Sequence, residues 1–446
     1  WLPPGMEREV RRELTERAER HAVEVFARNL RNLLLQPPLR NQRVVAIDPG
    51  LRTGCKLAAL DEKGNCIATD LIFVTGSAEK RQAAAAKLCD FLTEHGISLV
   101  AIGNGTACRE TEELISEIIR DRLPELKYQI INESGASIYS TSPIAREEFP
   151  DYDATVRGTI SIGRRLQDPL SELVKIDPQH IGVGMYQHDI NAKRLADSLA
   201  EVIESCVNYV GVELNTASTS LLKHVSGLNQ LLARRIVEYR EEHNGFSTRQ
   251  DLLNVPGMGE ARFTQAAGFL RLTDGIEPLD ATWIHPESYP AARQILERAG
   301  IQPDALTASE PVGQQLSEQL QQIDTSQWAS DLKVGQQTLR DILEALGRPG
   351  RDPRSDLPGP VFKQGILKLS ELAVGMELTG RVLNVVDFGA FVDIGLKDSG
   401  LVHISQLSHD FVRSPHDVVA VGDIVTTWVH AVDTERKRVS LTMIKP

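Results

Sequence analysis

Three carboxylates occupy positions from which they could share divalent metal ions. Asp48 ends one apolar segment, Glu133 ends another, and Asp153 stands at the start of a helical pattern. If the two apolar segments are strands of one sheet, the three side chains meet where the strands end and the helix begins. Carboxylate oxygens are preferred ligands of Mg²⁺ and Mn²⁺, and such a site supports in-line cleavage of a phosphodiester. Asp151 and Asp168 compete with Asp153 for the third position.

A second set of residues has the chemistry of base stacking. The apolar residues of segment 389–394 alternate, so that Phe391 faces away from them, and Phe388 lies at the entry to the segment. In segment 400–404, His403 likewise opposes its apolar neighbours. Such rings on the outside of a barrel can stack on bases, each stack contributing about 1–3 kcal/mol. The alternative is that the two phenylalanines cover a second small core under a loop.

The end of the chain has the pattern of a small barrel. Short alternating segments punctuated by glycines predict strands at 376–386, 389–394, 400–404, 424–432 and 438–442. Five strands within about seventy residues fit an OB-type barrel, which closes its own edges. Before the last strand, Lys437 and Arg438 follow Asp433, and either cation could reach a phosphate or stack on a base.

Two helix–turn–helix units with glycine-containing turns are predicted between Ser220 and Phe269. Gly227 stands in the first turn, and Gly257 and Gly259 stand in the second. Glycine permits a tight, left-handed backbone, and the helix that follows presents free N–H groups at its positive dipole end. Such a turn can hold a backbone phosphate without contacting a base. The nearby cations are Lys223, Arg234, Arg235 and Arg262.

The two turns differ, and the charge around them differs from that of the chain. Asn229 follows the first turn at the position that Gly259 holds in the second, which weakens the expectation of a phosphate contact there. The alternative for both units is a pair of packed hairpins that serve only as scaffold. Segment 223–271 carries seven Lys/Arg against five Asp/Glu, within a chain of net charge −12. Since Lys and Arg supply most of the affinity for phosphates, nucleic-acid binding has to be local.

The chain divides into six predicted segments around these residues. They are a helical segment (1–40), an α/β domain (41–190), the two hairpins (191–273), a mixed and mainly helical region (274–347), a Pro- and Gly-rich linker (348–361) and an all-β domain (362–446). In the α/β domain, strands alternate with helices. Gly103–Thr106, between a strand and a helix, either faces phosphate or caps the helix.

Composition limits the class of protein. No segment approaches about 18 consecutive apolar residues and no signal-peptide pattern is present, so we expect a cytoplasmic protein with no membrane partner. Five scattered cysteines show neither metal-ligand nor disulfide spacing and are expected to be free thiols. Because the sequence begins at Trp1, we expect it to be part of a longer protein.

The segments near the C-terminus resemble a known domain. Asp387–Asp393 and Gly400–Ser405 resemble the signature of the S1 RNA-binding domain, and Asp433–Leu441 is similar to the end of that domain. The resemblance implies an OB fold that holds single-stranded RNA with two aromatic residues, a histidine, an aspartate and a basic residue. In this sequence those residues are Phe388, Phe391, His403, Asp433 and either Lys437 or Arg438.

The preceding domains carry resemblances of their own. The two hairpins are similar to tandem helix-hairpin-helix DNA-binding domains, and the first turn departs from their pattern at Asn229. The α/β layout resembles the RNase H-like superfamily, in its YqgF and Holliday-junction-resolvase branch. That resemblance implies that Asp48, Glu133 and Asp153 are the carboxylates of a nuclease site. A retained fold used for binding or docking is favoured over catalysis, since fold does not imply function.

The order of the domains resembles the bacterial Tex family of transcription accessory proteins over the whole chain, which would be the C-terminal larger part of such a protein. Gly103–Thr106 with Arg109–Thr111, and Glu133–Ser137, strengthen the resemblance. It implies a multidomain fold with α/β, α and β parts. These are an RNase H-like α/β domain, a tandem helix-hairpin-helix and a C-terminal OB-fold (S1) barrel.

The function implied is that of a nucleic-acid-binding transcription accessory factor. Its expected partners are single-stranded RNA, DNA and the transcription machinery, and it requires no cofactor. The alternative is a divalent-metal-dependent nuclease or resolvase, which would need Mg²⁺ or Mn²⁺ at Asp48, Glu133 and Asp153. A translation factor is a third hypothesis, because S1 domains occur in that class as well.

Overall fold

The computed structural model describes residues 4–184, 187–307, 325–332, 334–357, 359, 362, 372–395, 399–420, 423–433 and 438–445. These residues belong to two units, one formed by residues 1–35 with 173–357 and the other by residues 36–172 with 358–446. No helix in these ranges has the length and apolar character needed to cross a lipid bilayer.

Helix α1 (Pro4–Leu34) has two halves of different character. The second half buries Phe26, Leu30 and Leu34, which lie four residues apart and therefore share one face. The first half is exposed and charged, with pairs such as Arg11–Glu7 at 3.0 Å. Exposed pairs of this spacing each contribute only a few tenths of a kcal/mol, about 0.2–0.5.

A five-stranded sheet forms the centre of the α/β domain, with strands β1 (Val44–Asp48), β2 (Cys55–Leu60), β3 (Cys66–Ile72), β4 (Leu99–Gly103) and β5 (Lys127–Ile131). The strand order is β3-β2-β1-β4-β5. The first three strands are antiparallel, whereas β4 and β5 run parallel to β1. The connecting helices α2 (Ala78–Glu94) and α3 (Cys108–Asp121) bury Leu88 and Leu114 in a core shared with β1 and β4.

Four helices follow the last strand, α4 (Ala136–Thr141), α5 (Pro143–Glu148), α6 (Ala154–Gln167) and α7 (Pro169–Leu173). Helix α6 packs closely against the sheet because Gly163 has no side chain. A Cβ added at Gly163 would lie 2.5 Å from Leu60 Cδ1 and 2.9 Å from Ala46 Cβ. Close packing of α6 brings its buried face against the strands whose ends carry Asp48 and Glu133.

The hairpin region contains α8 (Ala192–Val210), β6 (Val212–Glu213), α9 (Thr219–Leu222), α10 (Gln230–Glu242), α11 (Glu260–Ala266) and β7 (Leu270–Arg271). A 3-10 helix spans Arg249–Asn254, and shorter ones lie at Pro178–His180, Gln187–Asp189 and Ala267–Phe269. Helix α8 buries Leu199, Ile203 and Cys206 and packs along α1. The short strands β6 and β7 pair in parallel and join the two ends of the hairpin region.

Residues after the hairpins form α12 (Tyr289–Arg298), α13 (Thr325–Leu332) and α14 (Gln336–Gly347), with 3-10 helices at Pro278–Ala281, Pro286–Ser288, Pro303–Thr307 and Pro353–Asp356. Arg249 joins this region to the second hairpin and is 1% exposed. Its guanidinium donates to the carbonyls of Ile284 and Asp280 at 2.7 and 2.9 Å, and its backbone N–H donates to the Asp280 carboxylate at 2.6 Å. The network fixes the two regions together.

The stretch 348–361, predicted to be a linker, is partly packed. Asp352 is 7% exposed and Arg354 is 2% exposed, and their side chains form an ion pair at 2.8 Å. Pro and Gly composition indicated turns here but could not show that one turn contains a buried ion pair.

The C-terminal domain is a closed barrel of β8 (Glu377–Val386), β9 (Gly389–Asp393), β10 (Gly400–His403), β11 (Ile424–Asp433) and β12 (Arg438–Thr442). Its strand order is β10-β12-β11-β8-β9, with 3-10 helices at Ile404–Gln406 and Pro415–Asp417. Ala390, Val392 and Val402 are fully buried in its core. The predicted fold class, with an α/β domain, helical hairpins and a five-stranded barrel, is confirmed.

Candidate nucleic-acid interface and carboxylate pair

Three side chains, Phe388, Phe391 and His403, form what we call the stacking platform. Phe388 is 51% exposed and meets Phe391 edge to face, with ring centroids 6.2 Å apart. The pairing of β9 with β10 places Leu401 opposite Phe391 and His403 opposite Gly389. Since register partners and residues two apart share a face, Phe391 and His403 both lie on the outside of the barrel.

The backbones under the platform approach each other closely. A Cβ added at Gly389 would lie 2.1 Å from the Val402 carbonyl oxygen, a distance that no side chain tolerates. The N–H of Ile404 donates to the Phe388 carbonyl at 2.9 Å. These two contacts hold the entry of β9 against the end of β10, which fixes the aromatic pair beside His403.

His403 is oriented by its own turn. Its Nδ1 accepts from the N–H of Ser405 at 3.3 Å and lies 2.9 Å from the Ser405 hydroxyl. Because Nδ1 accepts a hydrogen bond, the neutral ring carries its proton on Nε2. The ring atom that can face a ligand is therefore a hydrogen-bond donor.

The basic end of the predicted site lies on the same barrel face. Strands β10 and β12 pair Leu401 with Ser440, so Arg438, two residues earlier, shares the outer face with Phe391. Asp433 is the register partner of Arg438 across β11 and β12. Of the two cations between which the sequence did not distinguish, Lys437 lies outside the described residues.

The first hairpin turn is occupied by the protein's own groups. The Asn229 side chain accepts from the N–H of Leu232 at 2.9 Å and so caps α10. Gly227, with φ of +84°, lies against α11, and a Cβ there would be 2.8 Å from Gln265 Cβ. Burial lowers the pKa of Lys223, a change that nearby Asp177 opposes. Gly227 therefore serves close packing of the two hairpins.

The second hairpin turn is more open. Gly257 has φ of +90°, and nothing lies within 4 Å of a Cβ added at Gly259. Gly259 begins α11 with no side-chain cap, so no cap covers the first amides of that helix. Arg235 donates to the Pro256 carbonyl at 2.8 Å, and Arg262 donates to the Gly257 carbonyl at 3.3 Å. Two guanidinium groups thus flank this turn, and Arg234 is exposed one residue from Arg235.

Asp48 and Glu133 lie near each other, and the protein surrounds the second of them. A Cβ on either Gly103 or Gly105 would lie 2.6 Å from a Glu133 carboxylate oxygen, and the Asn104 side chain accepts from the Glu133 N–H at 3.0 Å. Burial raises the pKa of Glu133, and the charge of Asp48 raises it further. The turn 103–106 therefore cradles a carboxylate, an arrangement that neither sequence hypothesis for it included.

Arg165 completes this neighbourhood and was not among the residues predicted from the sequence. The side chain is 4% exposed, and its Nη1 donates to the carbonyls of Asn132 and Ser134 at 2.6 and 2.9 Å, on either side of Glu133. Burial lowers the pKa of Arg165 to about 10. The signal in the sequence was an arginine within the apolar face of α6, which only the packing of that helix makes meaningful.

The three-carboxylate metal site predicted from the sequence is not assembled. Asp153 is exposed and caps α6 by accepting from the Val156 N–H at 2.8 Å. All three carboxylates are described, and the described ranges contain no group of three or more His, Cys, Asp or Glu side chains that could hold a metal ion. A nuclease role for the three carboxylates stays a prediction, and acids such as Asp153 favour helix N-caps as much as metal sites. Its competitor Asp168 follows the same helix and accepts from the Ser171 hydroxyl.

Four family models match the chain in order. Residues 42–167 match a Tex protein YqgF-like domain, and residues 207–271 match a helix-hairpin-helix motif. Residues 277–354 match an HHH domain, and residues 371–444 match an S1 RNA-binding domain. The third match covers most of the region predicted to be mixed and mainly helical and the first part of the predicted linker.

Several relatives match nearly the whole of this chain in sequence. The chain is 50% identical over 444 residues to the uncharacterized protein YdcI of Bacillus subtilis, covering 100% of this chain and 61% of that protein. It is 49% identical over 441 residues to the transcriptional accessory protein Tex of Neisseria gonorrhoeae, covering 98% of this chain and 56% of the relative. It is 36% identical over 498 residues to the human S1 RNA-binding domain-containing protein 1, covering 99% and 50%. The chain thus spans between half and about three fifths of these relatives.

Proposed function

The chain belongs to the Tex family of transcriptional accessory proteins, and we propose that its S1 barrel binds single-stranded RNA or DNA by stacking bases on Phe388, Phe391 and His403. The observation that carries the proposal is the placement of Phe391 and His403 on one outer face, with the half-exposed Phe388 ring against Phe391. Stacking on aromatic side chains is tolerant of sequence and contributes about 1–3 kcal/mol per base.

Backbone contacts supplement the stacking in this proposal. Arg438 lies on the same face as the rings, opposite Asp433 in the register of β11 and β12, and supplies a cation for a phosphate beside a stacked base. A guanidinium suits this task, because its charged N–H groups form strong hydrogen bonds to phosphate oxygens. The barrel then reads no sequence but discriminates single strands from duplex, in which bases are already stacked.

The second hairpin is proposed to hold the backbone of DNA. The turn is open at Gly259, and Arg235 packs against Gly257; with Arg262 and the exposed Arg234 nearby, it offers amides and charge to a phosphate. The first turn contributes packing instead, since Asn229 caps its helix and Gly227 lies against α11. A backbone grip of this kind positions the protein and carries no base specificity.

The role in transcription is proposed from the relatives. The protein of Neisseria gonorrhoeae is named a transcriptional accessory protein, and we extend that role to this chain as a cytoplasmic, nucleic-acid-binding factor acting with the transcription machinery. The α/β domain acts in binding or docking in this proposal. Asp48 and Glu133 are half-buried neighbours beside Arg165, and Asp153 caps a helix, so the described part of the chain offers no residue set that favours the nuclease alternative. The proposed function needs no metal or cofactor.

The platform is tested by combining Phe388→Ala, Phe391→Ala and His403→Ala and measuring Kd for a fluorescent oligouridylate by anisotropy. Each lost stack is expected to weaken binding about 5- to 140-fold. The matched control is Val374→Ala, which removes another exposed apolar side chain (71%) just before the opposite end of β8. An unchanged Kd in the triple variant would show that the rings do not contact bases.

A further inference from the structure

The connection between β10 and β11 carries an aromatic side chain outside the stacking platform. Phe411 is 96% exposed, and in the described ranges no other large apolar side chain exceeds 79%. We propose that Phe411 is an additional base-stacking residue, which extends the S1 surface to a further nucleotide of a single strand. This inference rests on the proposed function of the barrel.

Exposure by itself decides little, because single apolar residues are common on protein surfaces. The neighbours of Phe411 supply the argument. Leu407 and Val419 are each 3% exposed and belong to the barrel core, and Val412 packs against the same core. The connection is therefore anchored to the barrel before and after Phe411, while the ring is directed away from the core. A side chain displayed in this way has a defined position rather than that of a free loop tip.

Both ends of the connection are attached beside the platform. At its start, the N–H of Ile404 donates to the carbonyl of Phe388 at 2.9 Å. At its end, the N–H of Val382 donates to the carbonyl of Asp423 at 2.8 Å, and Val382 is the register partner of Val392 in β9. The connection thus leaves beside Phe388 and returns to β8, the strand paired with β9, which carries Phe391.

The reach and the neighbouring charge fit one nucleotide. Phe411 follows Leu407 by four positions, so its Cα lies at most roughly 14 Å from that residue of the barrel core. Arg413 is also exposed, and Val412 between them packs against the barrel core. The Phe411 ring and the Arg413 guanidinium are therefore both displayed to solvent, on either side of a residue that is fixed to the core. A base stacks on such a ring while its phosphate pairs with the guanidinium. A protein partner with an apolar pocket would contact the Phe411 ring and would make no use of the Arg413 guanidinium.

The test uses the full chain and an oligouridylate of about ten nucleotides, within the range of site sizes for OB folds. Phe411→Ala and Phe411→Leu are each expected to weaken binding about 5- to 140-fold, because leucine keeps the apolar surface but cannot stack. Phe411→Trp should bind as tightly as the unchanged protein. The fluorescence of the added tryptophan should be quenched when the oligonucleotide binds. Val374→Ala is the control for loss of an exposed apolar group in the same barrel.

The outcomes separate this inference from the proposed function. If Phe411→Leu binds as tightly as the unchanged protein, or if the emission of Phe411→Trp does not respond, the residue does not stack on a base. When the platform variants still lose affinity in that case, the proposed function stands and only the extension falls. If neither set of variants changes Kd, both are overturned. Binding of a protein partner by Phe411 that survives in Phe411→Leu would also contradict the inference.

Discussion

Single residues in the α/β domain make opposite contributions to its response to pH. Burial raises the pKa of Glu133 above its ordinary value of 4.5, with the charge of Asp48 as the second cause, and burial also raises the pKa of Asp48. The folded state then holds these protons more tightly than the unfolded state does. The free energy of unfolding therefore falls as the pH rises from the unfolded pKa through the raised folded pKa.

We expect Glu133→Gln to make the stability of the sheet less dependent on pH above about 4.5. The glutamine keeps the shape inside the cradle of Gly103 and Gly105 and removes the charge. Native-state hydrogen exchange of the β4 and β5 amides, corrected for the intrinsic effect of pH on exchange, measures the change. A variant with the same pH dependence as the unchanged protein would contradict the assigned cause.

Asp153→Asn is the matched control, because the sign reverses. The hydrogen bond from the Val156 N–H is the largest cause that lowers the pKa of Asp153. Its stabilising effect is therefore present above the ordinary carboxylate pKa and is lost as the pH falls through the lowered folded value. Asparagine still caps the helix, so only the loss of stability at acidic pH should disappear in this variant.

At this scale the sequence predicted side chains whose roles follow from alternation. Phe391 and His403 could be placed on the outer face because their apolar neighbours repeat every second residue. The cradle of Glu133 could not be predicted, since it depends on Asn104, 29 residues away in the chain, and on space that two glycines leave. Asp153 is a different case, because an acid at the start of a helix fits both a helix N-cap and a metal ligand.

The two hairpins show at the scale of elements how one residue changes what a turn can do. Asn229 uses its own side chain to cap the helix that follows, whereas Gly259 provides no side-chain cap, and the equivalent amide of Arg262 donates to the Gly259 carbonyl at 3.0 Å. Arg262→Ala is expected to weaken duplex DNA binding and to reduce the slope of log K against log salt by about 0.9. Kd measured by anisotropy at several salt concentrations gives the slope.

Arg262→Lys distinguishes charge from structure in this experiment. The lysine keeps one phosphate-neutralising charge, so the slope should return while the bond to the Gly257 carbonyl is altered. Arg12→Ala provides the control, because Arg12 is an exposed cation of α1 paired with Glu9. A slope that Arg262→Ala leaves unchanged would mean that this turn does not neutralise a phosphate.

Regular elements were more predictable than the contacts between them. The strands of the sheet and barrel follow from short apolar runs bounded by glycines, as β1 and β9 illustrate. The pairing of β6 with β7 joins two-residue strands far apart in the chain, and no local pattern indicates such a pair. The buried Asp352–Arg354 pair was likewise hidden in a stretch whose composition is typical of a linker.

At the scale of the whole molecule, binding has to overcome a net charge of −12. Two binding sites on one protein can overcome this charge. Once the first site has bound a nucleic acid, the second site encounters the same molecule at a high effective concentration. A duplex with a long single-stranded tail is expected to bind about 100- to 10,000-fold more tightly than either part alone when both grips engage. Anisotropy with the tailed duplex, the plain duplex and the single strand measures this gain.

Variants locate the source of the gain. Phe391→Ala should reduce the affinity for the tailed duplex about 5- to 140-fold, toward that for the plain duplex, and Arg262→Ala should reduce it toward that for the single strand. Val374→Ala should keep the full affinity. A tailed duplex that binds no more tightly than the better of its two parts would show that the S1 barrel and the hairpins do not act on one molecule of nucleic acid.

The closure of the barrel has a consequence for biosynthesis. Strand β10 pairs with β12, which begins about 35 residues after β10 ends, so at 5–20 residues per second the ribosome supplies the closing strand roughly 2–7 s later. During that interval, β10 has an unpaired edge of the kind that templates aggregation. We therefore expect slow translation between Ile404 and Asp433 to lower the yield of active protein, and fast translation of this stretch to protect it.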